Sequence, residues 1–147
     1  MNGFRLRPAT IRDSQLLYRI RIDPEVVVQS AMAPPDDYTS HRAWLVRRLG
    51  DLNIRLYVAQ DDGKSVGTGR LDWAEGCVVL SIAVSPAHRG KGYAGQIIAG
   101  LLAEARAYWP GSLPVAYIKS GNTRSLRAFI SQGFTLEKDE LLRCVRR

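Results

Sequence analysis

A glycine-rich basic turn between an apolar strand and a long helix constrains this chain more than any other feature. The apolar stretch 78–84 predicts a strand, and the periodic apolar residues of 93–108 predict a helix. Between them, the segment Arg89-Gly-Lys-Gly-Tyr-Ala94 opens the helix. A helix start leaves backbone N–H groups unpaired and carries partial positive charge, and Gly90 and Gly92 let a bulky anion approach those groups closely. The segment therefore predicts a pyrophosphate-binding loop.

Two other phosphate-binding loops have related spacings. Gly90 to Gly95 also fits the dinucleotide pattern G-x-G-x-x-G, which expects an acidic residue about 20 positions later, at the end of the next strand. The next predicted strand, 113–119, ends in Lys119 instead. A P-loop requires G-x-x-x-x-G-K-[ST], and the chain lacks that spacing. A nicotinamide enzyme and a P-loop nucleotide hydrolase are both disfavoured.

The remaining pattern predicts an α+β fold with helices flanking a central sheet. Alternating and helical periodicities, with turn residues between them, give the order β-α-α-β-β-β-α-β-α-β. Pro24 and the pair Pro34-Pro35 mark an irregular segment between the two N-terminal helices. The other predicted elements are a strand at 4–9, a helix capped by Thr10, a helix that begins at Thr39 or Ser40 and stops near Gly50, and strands at 54–59 and 65–73 joined by a hairpin turn.

A second motif follows the predicted strand at 113–119. Asn122-Thr-Arg-Ser125 is followed by Phe129 and then by Gly133-Phe134. With the loop at 89–94, this resembles the GNAT superfamily of acyl-CoA-dependent N-acyltransferases, whose motifs are R-x-x-G-x-[GA] and N-x-x-[AS]-x-x-x-[YF]-x-x-x-G-F. The resemblance covers residues 66–134 well. It implies the GNAT fold, with a mixed and mostly antiparallel sheet, acetyl-CoA as cofactor, and acetyl transfer to an amine.

The resemblance also implies which residues hold the cofactor. The backbone of 89–94 is expected to bind the pyrophosphate, with charge from Arg89 or Lys91, and strand 82–84 is expected to pair with the pantetheine arm. Asn122 is either a cofactor contact or only a helix cap, and Ser125 is either a contact or a solvated helix residue. The predicted cofactor-binding residues are Ile82, Ala83, Val84, Arg89, Gly90, Lys91, Gly92, Tyr93, Ala94, Asn122, Ser125 and Phe129.

The proton-transfer groups depart from the family pattern. Many relatives carry tyrosine where this chain has Phe129, and phenylalanine has no proton to donate. The strand 78–82 also lacks the glutamate that several relatives place there. Phe129 is either plain core or the position of a lost acid. The resemblance therefore leaves the general acid and base to other residues.

Two residues are the predicted catalytic candidates. Tyr117 stands where some relatives carry a catalytic glutamate, and strand alternation directs its phenol away from the face of Ala116 and Ile118. A packed strand tyrosine is the alternative. His41 titrates near neutrality and lies on a predicted helix three residues before Trp44, so it is a candidate for acting on or binding a substrate. No metal site is predicted.

The N-terminal part bears on the acceptor amine. Several of its segments resemble the start of GNAT enzymes that act on nucleotide-linked amino sugars, such as those of pseudaminic acid synthesis; they are Leu6 to Thr10, Asp23-Pro-Glu-Val, Ser30 and His41 to Leu45. Ile22 and Val27 depart from that subgroup's Asn-Asp-Pro and its following arginine. Such a sugar is the predicted acceptor. A protein or peptide amine, a non-catalytic acyl-CoA-binding module and a basic nucleic-acid binder are the alternatives.

Charge and length set the remaining expectations. Lys+Arg 21 against Asp+Glu 14 gives a net charge of +7, which favours polyanionic partners such as coenzyme A, a nucleotide-activated substrate or nucleic acid. The chain has no aromatic-basic RNA motif and no Cys/His finger, so only weak, nonspecific nucleic-acid binding is expected. One domain spanning 1–147, a cytoplasmic location without membrane attachment, and a monomer or homodimer are predicted.

Overall fold

One mixed sheet organises the fold. The structure, a computed structural model, describes residues 3–30, 33–137 and 142–146. Its seven strands lie in the order β1-β2-β3-β4-β5-β7-β6. The strands are β1 (Phe4–Pro8), β2 (Ile54–Asp61), β3 (Lys64–Ala74), β4 (Cys77–Val84), β5 (Leu113–Ile118), β6 (Thr135–Glu137) and β7 (Leu142–Val145), and the helices are α1 (Ser14–Arg21), α2 (Pro24–Gln29), α3 (Tyr38–Leu49), α4 (Tyr93–Tyr108) and α5 (Thr123–Ser131).

The direction of each strand relative to its neighbour agrees with the length of the segment that connects them. β4 and β5 are parallel, and each other neighbouring pair in this sheet is antiparallel. A parallel pair needs a long crossover, and α4 supplies it between β4 and β5. The predicted α+β class, with a mixed and mostly antiparallel sheet flanked by helices, is confirmed.

Helix α4 packs against one face of the sheet, where two glycines of β3 make room for it. A Cβ atom on Gly69 would lie 3.0 Å from both terminal methyl groups of Leu101, and one on Gly67 would lie 3.0 Å from Ile97 Cδ1. Both α4 side chains are completely buried. Glycine at these two positions therefore permits the close approach of α4 to β3 and β4.

Helices α1 and α3 cover the opposite face of the sheet. Leu17 of α1, Leu45 of α3 and Val58 of β2 belong to one buried apolar cluster. The entry to α1 is fixed by Thr10, which caps a short 3₁₀ turn at Ile11–Asp13 that continues into the helix. The sheet thus separates an α4 side from an α1/α3 side, and the two sides carry different parts of the candidate site.

The structure corrects three details of the predicted order. The first part of the segment after Pro24 is regular: Pro24 occupies the first turn of α2, which ends at Gln29, and Asp23 caps that helix by accepting a hydrogen bond from the Val26 N–H. Helix α3 begins at Tyr38 rather than at Thr39 or Ser40, because Asp37 is its cap. The single C-terminal strand is the pair β6 and β7.

Within the described residues, none of the helices is both long and apolar enough to span a bilayer.

Candidate active site

The candidate site begins where β4 and β5 separate. The two strands pair only at Cys77–Val79 of β4 and Leu113–Val115 of β5. Beyond that point β5 pairs with β7 on its other side, and β4 pairs with β3. The C-terminal half of β4 therefore borders a gap in the sheet rather than a second strand.

Backbone N–H groups of β4 face this gap. The Ser85 N–H donates to the Val66 carbonyl oxygen of β3 at 2.9 Å. Because backbone groups alternate sides along a strand, the N–H groups of Ile82 and Val84 point in the opposite direction, toward the gap. The gap therefore offers a strand edge that an extended ligand can join.

The glycine-rich turn lies at the open end of the gap. Gly90 and Gly92 have φ angles of +76° and +84°, a region that other residues rarely adopt. Gly92 is the residue before α4, and no side chain caps the first turn of this helix. A Cβ atom at either glycine would meet nothing within 4 Å. The helix start thus presents uncapped N–H groups to open space, which suits an anion.

Two cavities occupy this region. The sheet cavity, of about 380 Å³, runs along β4 and β5 beneath α1 and α2. The loop cavity, of about 610 Å³, lies over the glycine-rich turn and the start of α4. Four residues line both of them, namely Val84, Arg89, Ala94 and Arg124. The two cavities therefore adjoin along a path from the helix start to the gap in the sheet.

Ion pairs hold α2 over this path. Arg89 Nη2 lies 2.9 Å from Asp23 Oδ2, and Arg89 Nη1 lies 2.7 Å from Glu25 Oε2. Arg124 Nη1 lies 3.3 Å from the other Glu25 oxygen. Lys119 Nζ donates to the Val28 carbonyl oxygen at 3.0 Å. The hydrogen bond from Arg89, aided by the backbone and opposed by burial, lowers the pKa of the Asp23 carboxyl.

Nearly all predicted cofactor-binding residues line one of these cavities. Lys91 is the exception, because it is exposed and lines neither. Tyr93 donates a 2.5 Å hydrogen bond to Asp61, which ties the start of α4 to the β2–β3 hairpin. The sheet cavity is lined by Ile82, Ala83, Val84, Arg89, Ala94, Asn122, Ser125 and Phe129, and the loop cavity by Val84, Arg89, Gly90, Gly92, Tyr93 and Ala94.

Asn122 and Phe129 have structural roles beside their places in the cavity. The Asn122 side chain caps α5 by accepting a hydrogen bond from the Ser125 N–H at 3.3 Å. Phe129 is only 2% exposed and packs edge-on against Phe134, with 5.0 Å between the ring centroids. Position 129 is therefore part of the core between α5 and the sheet. Their contact with the cofactor stays a prediction.

Tyr117 points into the sheet cavity, on the side predicted from strand alternation. Ala116 and Ile118 are buried on the α4 side, whereas Tyr117 is 47% exposed and lines the sheet cavity. The alternative of a packed strand tyrosine does not describe this side chain. An accessible phenol at the gap can exchange a proton with a bound molecule.

His41 does not reach the site, which corrects the prediction that it acts on substrate. Its side chain is completely buried and packs against Tyr18 and Trp44, with ring centroids 5.4 and 5.7 Å away. Burial, with repulsion from Arg21, lowers the pKa of His41 and favours the neutral ring. Helix α3 turns the His41 side chain toward α1, so His41 is not a catalytic residue of this site.

Two polar residues of the sheet cavity on the α1/α3 side were not among the predicted site residues. Arg70 of β3 lies opposite Ser81 of β4 in the sheet register, and Arg21 enters from α1. Strand alternation could have identified Arg70, because its neighbours Gly69 and Leu71 face α4 and Arg70 must therefore lie on the other face of the sheet. Arg21 had no such signal, since only helix packing brings it to the cavity.

Comparisons with known proteins agree with this geometry. Residues 4–135 match the family model described as an acetyltransferase (GNAT) domain. No curated protein matches the sequence itself. Spermidine N-acetyltransferase from Vibrio cholerae, solved with CoA and spermine, has a TM-score of 0.86 at 15% identity, covering 97% of this chain and 93% of that one.

Two further solved structures share the fold. YncA from Salmonella typhimurium, solved with its cofactor acetyl-CoA, has a TM-score of 0.76 at 26% identity, covering 98% of this chain and 91% of that one. The aminoglycoside acetyltransferase AAC(6')-Ib, solved with paromomycin and acetyl-CoA, has a TM-score of 0.83 at 17% identity, covering 98% and 93%. The family model spans most of the chain, and the predicted fold, enzyme class and cofactor agree with it. The chain belongs to the GNAT acetyltransferases, the acetyl-CoA-dependent N-acetyltransferases.

Proposed function

We propose that this enzyme transfers the acetyl group of acetyl-CoA to a primary amine of a small molecule, and that the amine belongs to a nucleotide-linked amino sugar. The observation that carries the transfer is the gap between β4 and β5, where the N–H groups of Ile82 and Val84 face a cavity that adjoins the loop cavity at the start of α4. The resemblance of the N-terminal part to enzymes of nucleotide-linked amino sugars supports the acceptor.

The chain's own groups fit the cofactor along this path. The uncapped start of α4, with Gly90 and Gly92 leaving open space, suits the pyrophosphate. The Ile82 backbone suits the amide groups of the pantetheine arm. The Val84 N–H faces the gap between β4 and β5. There it can donate a hydrogen bond to the thioester carbonyl oxygen of the cofactor and stabilise the negative charge that develops on that oxygen during transfer. Arg89 and Arg124 line both cavities and add positive charge.

Tyr117 is the proposed proton-transfer group. Bound acetyl-CoA supplies a thioester, and forming the amide releases a thiol, so one proton leaves the amine and one reaches the sulfur. Tyr117 carries an accessible O–H on the α1/α3 side of the gap, where the acceptor has room to enter. Phe129 has no such group and is buried.

Thiol release from acetyl-CoA tests this function. A panel of an amino sugar, its nucleoside-diphosphate derivative, a diamine and a peptide with a free N-terminus would be assayed with the purified chain, together with the melting temperature with and without acetyl-CoA. Faster release with the nucleotide-linked sugar is expected. Release only with the peptide would replace the small-molecule acceptor by a protein. A melting shift without release for any amine would indicate an acyl-CoA-binding module.

A further inference from the structure

Two arginines define the part of the sheet cavity that lies away from the glycine-rich turn. The charged residues that line this cavity are Arg21, Glu25, Arg70, Arg89 and Arg124. Arg89 and Arg124 also line the loop cavity, and Glu25 is paired with both of them. Arg21 and Arg70 line the sheet cavity but not the loop cavity.

Arg21 and Arg70 reach the cavity from two different elements, α1 and β3. Arg70 extends from β3, where the register pairs it with Ser81, and its Nη2 lies 3.5 Å from Ser81 Oγ. Arg21 extends from the end of α1, with its guanidinium 4.4 Å from the centroid of the Trp44 ring. Trp44 also lines the cavity. Stacking on an indole fixes the position of the Arg21 charge at the wall.

This end of the cavity has more positive than negative charge. Arg70 Nε lies 2.7 Å from Asp72 Oδ2. Within residues 3–30, 33–137 and 142–146, Arg21 forms no ion pair, and its Nη2 donates to the Ala33 carbonyl oxygen at 3.2 Å. Burial, and next the charges of Arg70 and Arg48, lower the pKa of Arg21. Like charges that are partly buried repel each other less when an anion joins them.

We propose that Arg21 and Arg70 form an anion site that binds a carboxylate or phosphate group of the acceptor while its amine lies near Tyr117. The inference rests on the proposed acetyl transfer, but it holds for any anionic acceptor, whether or not a sugar is present. Guanidinium groups bind both anions in a bidentate manner, so the shared chemistry is a planar or tetrahedral oxyanion.

The same charges disfavour polycationic acceptors. Two of the structurally similar enzymes were solved with spermine and with paromomycin, both of which carry several amines. A second ammonium group of such a molecule would meet Arg21 or Arg70 in this cavity, and like charges at close range repel. The fold is shared with these enzymes, whereas the acceptor preference is expected to be opposite.

Matched pairs of amines test the anion site. The carboxylate pair is an amino acid and its amide, and the phosphate pair is phosphoethanolamine and ethanolamine. The nucleotide pair is a nucleoside-diphosphate amino sugar and the free amino sugar. Spermidine serves as the polycationic amine. Transfer would be measured as thiol release, and binding to the CoA complex would be measured by calorimetry. At least one anionic member is expected to exceed its neutral partner by about tenfold or more. The pair that shows the preference identifies the source of the anion.

Variants assign the preference to the named residues. Arg21→Gln and Arg70→Gln should each reduce the preference for the anionic member by about tenfold or more, and Arg21→Lys should retain part of it. Arg19→Gln is the matched control, since Arg19 is exposed on the same helix, and it should retain the whole preference. Melting temperatures in the absence of ligand would show that the variants are folded.

The outcomes separate this inference from the proposed function. Transfer to neutral amines or spermidine at rates equal to the anionic members would overturn the anion site and leave the acetyltransferase assignment intact. Tighter binding of an anionic member without any transfer would support the anion site and contradict the proposed function. Equal effects of Arg21→Gln and Arg19→Gln would remove Arg21 from the site.

Discussion

Arg89 of the glycine-rich turn forms an ion pair with Glu25 of α2, with 2.7 Å between Nη1 and Oε2. The other Glu25 oxygen pairs with Arg124. Both arginines line the cavities proposed for the cofactor, so the Glu25 carboxylate occupies the cations that a phosphate group would use. The position of α2 and the proposed cofactor site therefore share one carboxylate.

Glu25→Gln is expected to tighten CoA binding by about threefold to tenfold, because it removes the carboxylate that competes for Arg89 and Arg124. The Glu25 side chain is half exposed, so its loss should cost less than about 1 kcal/mol of stability. Calorimetry with CoA measures the affinity. Glu75→Gln, in the exposed turn before β4, makes the same change in net charge and should leave CoA affinity unaltered. Weaker binding in Glu25→Gln would show that the pair supports the site.

Gly92→Leu is expected to abolish the rise in melting temperature that acetyl-CoA produces. A side chain at Gly92 would enter the open space at the start of α4, and the φ of +84° adds strain of about 1–2 kcal/mol. Gly63→Leu is the matched control, because Gly63 has a φ of +80° and equally open space but lies in the β2–β3 turn. Both variants should melt lower without ligand, and only Gly63→Leu should retain the acetyl-CoA shift. Retention in both would exclude the loop as the pyrophosphate site.

Tyr117→Phe is expected to lower turnover by about a hundredfold or more, because it removes the accessible O–H at the gap. The ring is half exposed and the change removes one hydroxyl, so melting temperature and CoA affinity should stay close to those of the parent. Steady-state thiol release with a saturating acceptor measures the effect. Full activity in Tyr117→Phe would remove this residue from the mechanism without affecting the cofactor assignment.

Phe129→Tyr is expected to leave turnover within about tenfold of the parent, a barrier change of roughly 1.4 kcal/mol. The added hydroxyl would lie on a ring that is only 2% exposed, and an unpaired buried hydroxyl costs about 1–3 kcal/mol of stability. Parallel measurement of unfolding and thiol release separates the two effects. A large gain in transfer would instead show that position 129 is the place of a lost acid.

His41 is expected to make stability depend on pH. Burial lowers the pKa of His41 in the folded state, whereas the unfolded imidazole binds its proton near pH 6.5. The free energy of unfolding should therefore fall as pH decreases below about 6.5, by at most about 1.4 kcal/mol per pH unit from this group. Urea unfolding at pH 7.5 and pH 5.5 measures the difference.

The contribution of His41 can be isolated with two variants. His41→Phe keeps a ring between Tyr18 and Trp44 and should reduce this pH dependence. His88→Gln changes the other histidine of the chain and should retain it, since His41 is intact. A parent whose stability is the same at both pH values would contradict the buried neutral ring.

The sequence alone determined the features that depend on neighbouring residues. Helix α4 was predicted with the bounds that the structure shows, 93–108, because apolar periodicity and a glycine turn are local signals. The side of β5 on which Tyr117 lies follows from strand alternation in the same way. The end of β4, the glycine-rich turn and the start of α4 line the loop cavity and are contiguous in the chain, so their motif was sufficient to predict an anion site. The other lining residues of this cavity come from α5 and from Gln132 after it.

Only the tertiary structure decided the features that depend on packing between distant segments. His41 is buried because α3 turns it toward α1, and no local pattern distinguishes that orientation from an exposed one. Helix α2 is held by Arg89 from the other half of the chain, and Arg21 and Arg70 line one cavity only because α1 and α3 cover this face of the sheet. Likewise, β4 and β5 separate after Val79 and Val115, while β5 continues to pair with β7. The sequence determines which functional groups the chain has. The distances between those groups result from the burial of the apolar helix and sheet faces, which brings distant segments together.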